Sequence, residues 1–196
     1  MIDINVLLAC GATYKKVEKD EVIFEEGSHC HYYYQLVEGR VKWININEAG
    51  KEFIQNLIEP GESFGELPLF DDGVYAASSI ADKNSLLIRL PKKAFLGLLQ
   101  DFPEMHFKFT RLMAFRLRYK FLILKTIASE NPQARIFALL NYLKQENQNG
   151  SGKMEVKLTR QQIANMTGLR VETVIREIKK LNKNHYVTIE KGKVYF

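Results

Sequence analysis

The chain has 196 residues, of which 46% are hydrophobic and 26% charged; this suits one large folded domain or two modest ones and excludes a disordered chain. Its only cysteines, Cys10 and Cys30, are too few for a disulfide framework or a four-thiolate cluster. The net charge of +5 is unevenly spread, with 10 Lys/Arg against 16 Asp/Glu in residues 1–101 (−6), 6 against 1 in 102–128 (+5) and 12 against 6 in 129–196 (+6). An acidic front on a basic back points to a sensor half and a nucleic-acid-binding half.

No apolar run is long enough to span a bilayer, and Met1-Ile2-Asp3-Ile4-Asn5 lacks the basic start of a signal peptide. No membrane association and a cytoplasmic location are therefore expected. Residues 15–90 read as all-β. Runs rich in Val, Ile, Phe and Tyr (Val22–Phe24, Tyr32–Val37, Val41–Ile46, Phe53–Ile58, Leu86–Leu90) alternate with turn signals. Those breaks are Glu26-Gly27-Ser28, Glu38-Gly39-Arg40, Glu48-Ala49-Gly50-Lys51 and Glu59-Pro60-Gly61-Glu62. Such punctuation predicts a sandwich or jelly roll. Within it, strand alternation sets Cys30 on the opposite face from His29 and His31, and no further Cys-rich motif completes a ligand set. No metal is expected there.

After Pro91 the pattern becomes helical. A short helix is predicted over Pro91–Leu99 and a long one from Pro103 to Ala128, with Pro103 suited to its first turn. The long helix carries two apolar stripes, Leu112/Phe115/Tyr119/Leu122 and, nearly opposite, Met113/Leu117/Phe121/Leu124/Ala128. A surface helix needs one stripe. Two predict that one packs on the chain's own β-domain and the other on the same helix of a second chain, either stripe being open to either role; a helix buried wholly within one subunit is the alternative. Ser129-Glu130-Asn131-Pro132 then breaks the helix and caps the next, with Asn131 as N-cap and Pro132 at the first helical position. That helix, Gln133–Glu146, leads into a flexible Asn147–Gly152 turn.

Leu158 to Leu181 reads as two short helices around a tight turn. Thr159 and Gln162 have capping-box spacing, and Gly168 supplies the backbone that ends the first helix. The second carries Val174, Ile178 and Leu181 on one face and Glu172, Arg176 and Lys179 on the other. An Arg suits bidentate bonding to guanine, and a Glu can accept from the cytosine amino group. The runs Tyr186–Ile189 and Lys193–Phe196, joined by Glu190-Lys191-Gly192, predict a small hairpin where a wing would be. Helix-turn-helix plus wing is a far rarer coincidence than an amphipathic surface helix.

This order of parts resembles the Crp–Fnr family of bacterial transcription regulators over essentially the whole chain. The motifs that carry the resemblance are Phe64-Gly65-Glu66-Leu67-Pro68-Leu69-Phe70, similar to the opening of the family's phosphate-binding cassette, and Leu158–Ala164 with Gly168-Leu169. To these is added Val171-Glu172-Thr173-Val174-Ile175-Arg176, similar to the Fnr-type start of the recognition helix. The resemblance implies an α+β protein: a jelly-roll sensor (1–101) with a cyclic-nucleotide-binding-like pocket, a dimerisation helix (102–128) and a winged helix-turn-helix (129–196). It further implies a homodimer on a palindromic double-stranded DNA site, and RNA polymerase as a partner. Glu172 and Arg176 would read bases, Thr159, Arg160, Gln161 and Thr173 would hold phosphates, and Arg170, Val171 and Lys179 complete the DNA-facing set.

The sensing end departs from the family. Where cyclic-AMP-binding members carry an Arg-Ser or Arg-Thr pair that grips the cyclic phosphate, this chain has Ala76 and Ala77. Arg suits that task because its fixed fork bonds a phosphate bidentately. Gly65 and Glu66 remain, but a carboxylate without the Arg repels the anion. Cyclic AMP is not the expected ligand, and no cofactor is expected. Arg40 and Arg89, the cations that could reach across, are expected at the surface as strand-turn and strand-end residues. No nucleophile–base set or carboxylate pair suggests catalysis, so no enzyme is expected. A ligand-binding module whose basic tail contacts nucleic acid non-specifically is the competing reading.

Overall fold

β-branched and aromatic residues dominate the strands of the first hundred residues, and the two faces of each strand decide where they pack. The computed structural model describes residues 2–128, 131–146 and 153–196. In chain order come α1 (Ile4–Ala9), β1 (Thr13–Val17), β2 (Val22–Phe24), β3 (Tyr32–Glu38), β4 (Val41–Ile46), β5 (Glu52–Ile58), β6 (Ser63–Phe64), α2 (Leu67–Asp71), β7 (Ser78–Ala81), β8 (Ser85–Pro91) and α3 (Lys92–Asp101). Then follow α4 (Glu104–Ala128), α5 (Pro132–Glu146), β9 (Glu155–Val156), α6 (Arg160–Thr167), α7 (Val171–Lys183), β10 (Thr188–Glu190) and β11 (Lys193–Tyr195). The class is α+β. The described chain divides into two compact units, Met1–Leu112 and Met113–Phe196, with the division inside α4.

In the first unit two four-stranded antiparallel sheets, ordered β1-β8-β3-β6 and β2-β7-β4-β5, form the predicted jelly roll. β3 is apolar on both faces because both are covered. Tyr34 and Leu36 pack among Val17, Val41, Ile58, Phe64 and Leu87, while Tyr33 turns the other way onto Leu90, Phe95, Leu98 and Phe109. Tyr33 stacks on Phe95 at 4.8 Å and meets the edge of Phe109 at 6.0 Å, which seats α3 and the first turns of α4 on the sheet. Gln35, on the same side of β3, holds the backbone of Ile2 by two hydrogen bonds of 3.2 and 3.0 Å.

The predicted strands are all present, but β1 and β7 were not legible. β1 reads Thr-Tyr-Lys-Lys-Val and β7 Ser-Ser-Ile-Ala, compositions that show no apolar run; pairing with β8 and with β2 and β4 decides them. Cys30 is buried, with His29 and His31 exposed on either side of it. Among the described residues no group of His, Cys, Asp and Glu could hold a metal ion. None of the described helices is long and apolar enough to cross a membrane.

In the second unit α5 starts at Pro132, with the Asn131 side chain accepting from Gln133 N at 3.0 Å. The break at 129–130 and the turn at 147–152 lie outside the described residues. Tyr119 is 5% exposed and stacks on Tyr142 at 3.8 Å, and Phe115 stacks on the same ring at 5.2 Å. The buried edge of α4 continues through Ile123, not Leu122, which is 39% exposed. The opposite stripe stays open in the single chain: Leu117, Phe121 and Leu124 are 55%, 63% and 61% exposed. The wing is shorter than predicted, with strands 188–190 and 193–195 around the two-residue turn Lys191-Gly192. Its third strand, β9, which sequence reading missed, pairs with β11.

Candidate functional site

Thr159 caps α6 as its spacing requires. Its hydroxyl accepts from Gln162 N at 3.1 Å, and the Gln162 side chain accepts from Thr159 N at 3.0 Å. Thr159 itself is exposed, and its hydroxyl is a donor as well as an acceptor. Gly168 ends the helix at φ +70°, the left-handed conformation that a Cβ disfavours, and so turns the chain into α7. Val174, Ile178 and Leu181 are at most 1% exposed and anchor α7 against the unit. Glu172, Arg176 and Lys179 are exposed together, and Arg170, the N-cap of α7, is exposed beside them. Val171 and Thr173 are half-buried on the first turn. The structure thus brings all nine predicted residues onto α6, α7 and the turn between them.

Three details were not legible in the sequence. Arg160 is half-buried, burial lowers its pKa, and its guanidinium donates to the Gly192 carbonyl at 3.3 Å, tying the wing to the start of α6. Gln161 is bonded to Asn165 at 2.8 Å, one turn along the exposed side of α6. Glu177, charged yet 5% exposed, accepts from Lys180 at 2.9 Å and Arg176 Nε at 3.2 Å; these partners hold its carboxyl below the usual range. The Nε tie leaves both terminal nitrogens of Arg176 available as a fork. A buried Glu among apolar residues gives no local signal beyond its following Arg176 directly and preceding Lys180 by one turn.

The cassette of the sensor unit is arranged differently. Gly65 has φ +71°, and a Cβ there would come within 2.7 Å of the Phe24 ring. Phe24 stacks on Tyr75 at 3.7 Å and 10° and lies within 6.1 Å of the Phe64 and Tyr34 rings. One aromatic ring therefore fills the space between Gly65 at the start of the cassette and Tyr75, the residue before Ala76. The Tyr75 hydroxyl reaches Cys30 Sγ at 3.1 Å, and burial raises its pKa well above the usual range. Burial raises the Tyr34 hydroxyl to about 12. Glu66 is 1% exposed. Ala76 is exposed and Ala77 half-buried. The Ala76 carbonyl accepts from Asn45 at 2.9 Å, and the same amide nitrogen bonds Glu26 at 2.9 Å, placing a carboxylate beside the clamp position.

The chain matches the family model described as "Cyclic nucleotide-binding domain" over residues 14–102 and that described as "Crp-like helix-turn-helix domain" over residues 134–195. It is 30% identical over 173 residues to the Cyclic AMP receptor protein of Thermus thermophilus, covering 88% of this chain and 78% of that one. It is likewise 30% identical over 176 residues to the cAMP-activated global transcriptional regulator CRP of Pasteurella multocida, covering 88% of this chain and 84% of that one. The solved Thermus thermophilus catabolite activator protein superposes with a TM-score of 0.59 at 26% identity, over 97% of this chain and 87% of that one.

The chain belongs to the Crp–Fnr family. It is a DNA-binding transcription regulator of the Crp–Fnr type, and its helix-turn-helix match takes in α6, α7 and the wing together. For a Crp–Fnr protein the two candidate arginines of the sensor unit lie off the clamp. Arg40, expected at the surface, is instead largely buried: its side chain is 13% exposed and forms a 2.5 Å ion pair with Asp82. The Asp82 and Lys83 amides both donate to the Arg40 carbonyl, at 2.8 and 3.3 Å, which sets Asp82 beside it. Arg89 lies over the Tyr32 ring at 4.9 Å. Both cations are committed elsewhere.

Proposed function

We propose that the chain acts as a homodimer that reads a palindromic double-stranded DNA site, one α7 in each major groove, without a cyclic nucleotide as effector. The observation that carries this reading is the exposed set Glu172, Arg176 and Lys179 on a helix whose other face is anchored by Val174, Ile178 and Leu181. Glu172 and Arg176 supply an acceptor and a bidentate donor one turn apart, the pair that distinguishes cytosine and guanine edges. Thr159, Arg160, Gln161, Arg170 and Thr173 surround them with phosphate donors that set register, and Val171 lines the groove side. Residues 1–101 serve as the sensor, 102–128 as the dimerisation helix and 129–196 as the DNA-binding part, with RNA polymerase as the downstream partner.

The open stripe of α4 supports the dimer. Leu117, Phe121 and Leu124 repeat along one side, while Tyr119 and Ile123 on the other are already covered within the chain. Two copies joined through this stripe would set their recognition helices about 34 Å apart on a two-fold axis.

Two relatives carry cyclic AMP in their names, but the cassette here supports a different sensor. A cyclic phosphate would meet Ala76 and Ala77 in place of cations, the Glu26 carboxylate nearby, and the Phe24 ring in the space its nucleoside needs. An unpaired buried phosphate costs several kcal/mol, roughly 3–5, which moves a micromolar affinity to millimolar or weaker. Selection of bound sequences from a random DNA pool, with sedimentation of the free protein, tests the proposal. A palindrome and a dimer are expected, with no change on adding cyclic AMP or cyclic GMP; a monomer with no sequence preference would overturn it.

A further inference from the structure

We propose that Ile175 reads the methyl group of a thymine in the major groove, a contact that rests on the base-reading role given above to Glu172 and Arg176. α7 sorts its residues sharply. Val174, Ile178 and Leu181 are 0%, 1% and 0% exposed, yet Ile175 is 40% exposed. At about 100° per residue, Ile175 falls on the same side as Glu172, Arg176 and Lys179, all within an arc of about 100°. It is the one large aliphatic side chain among them.

Folding explains an isoleucine at this place only in part, since 40% of its surface remains in water. A β-branched side chain lowers helix propensity relative to Ala, Lys or Arg, and apolar surface left in water gives no burial energy. Val171, one turn earlier on the same side, is also β-branched and only half-buried, so the apolar strip continues to the tip of the helix. The groove edges of adenine, guanine and cytosine are distinguished by nitrogen and oxygen atoms, whereas thymine adds a methyl group. With Glu172 as acceptor and Arg176 as donor, Ile175 gives α7 a third kind of reader, matched to that group. Cations within a turn, Arg176 and Lys179, suit a polyanion and oppose an apolar protein surface, whose core is depleted of charge. The apolar contact thus belongs to a groove bounded by phosphates.

Deoxyuridine lacks only the methyl group of thymidine, which makes the contact separable from every hydrogen bond. Using the selected palindrome, each symmetric pair of thymines is replaced by deoxyuridine, and affinity is measured for the full-length protein and for Ile175→Ala and Ile175→Val. One pair is expected to weaken the unaltered protein about fourfold per half-site, the worth of one buried methyl. Ile175→Ala should bind thymine and uracil sites alike at that pair, and Ile175→Val should keep the preference. Thermal melting of the variants confirms the fold, which an exposed position leaves intact. If no pair responds, or if Ile175→Ala discriminates as well as the parent, Ile175 does not read thymine while Glu172 and Arg176 remain base readers. If the pool yields no selected sequence at all, the base-reading role and this contact fall together. If apolar contact with another protein is the true role, Ile175→Ala leaves the DNA affinity and the uracil profile unchanged.

Discussion

The cassette of the sensor unit and the recognition helix treat polar side chains in opposite ways. In the sensor unit the polar groups are turned on one another: Asn45 bonds Glu26 and the Ala76 carbonyl, Gln55 bonds Asn45 at 2.7 Å, and, elsewhere on the sheet, Arg40 is held by Asp82. On α7, Glu172 and Lys179 remain outside, and Arg176 keeps its fork while only its Nε is engaged. Groups satisfied within the chain build structure, whereas groups exposed on a rigid helix await a partner.

The largest effect should come from setting the two sides of α4 against each other. Tyr119→Glu would place a carboxylate against the Tyr142 ring and remove a stack at 3.8 Å, so loss of at least about 3–5 kcal/mol and an unfolded second unit are expected by chemical denaturation. Phe121→Glu, at a position 63% exposed, should leave melting of the chain's secondary structure intact and yield a monomer in sedimentation. A folded dimer for Phe121→Glu would show that the open stripe is not the interface.

Next in size is the aromatic fill of the cassette. Phe24→Ala should lower stability by about 3–5 kcal/mol through the cavity left between Gly65 and Tyr75. That variant alone should not bind cyclic AMP in calorimetric titration. Combined with Ala76→Arg and Ala77→Ser, it should begin to do so; heat of binding from Phe24→Ala alone would mean that the ring, not the missing cation, excludes the ligand.

On the DNA side, Arg176→Ala should cost about 1–3 kcal/mol on the selected site and relax preference at one position of each half-site. Arg160→Ala should weaken all sequences alike, through a lost phosphate contact and a wing released from its Gly192 carbonyl. Equal losses on selected and scrambled duplexes for Arg176→Ala would remove it from the base readers.

The smallest effect is titration of Glu177. Its carboxyl is held below its ordinary value of 4.5, chiefly by Lys180 and then by Arg176, so it contributes stability above that value and loses it as pH falls further. Glu177→Gln should therefore flatten the acid side of the melting-temperature profile below about pH 4.5 and leave the neutral side nearly parallel. An unchanged acid limb would mean that the ion pairs carry no net stability.

Sequence reading recovered those features whose cause is local. Thr159 and Gln162 cap α6 because their spacing alone brings the groups together, and Val174, Ile178 and Leu181 are buried because helical period puts them on one face. Arg40 was misjudged because its partner, Asp82, lies 42 positions away, and a turn residue looks exposed until the chain has folded. The Phe24 fill has no local trace for the same reason: its neighbours Gly65 and Tyr75 lie far along the chain and leave no sign in the run Val22-Ile23-Phe24. The Ala76-Ala77 departure, in contrast, was plain from alignment to a motif. What it implied about the pocket needed the fold.

The ring between Gly65 and Tyr75 also sets how this cassette could be re-engineered. On the proposed reading, building a nucleotide receptor here takes both a cation at Ala76 and an empty space at Phe24, and the two changes differ in structural cost when made singly. An arginine at exposed Ala76 leaves the packed interior undisturbed, whereas removing Phe24 first opens a void in the core of the sheets. Cation and cavity thus differ in structural cost, and the filled cassette makes the cavity the harder of the two to supply.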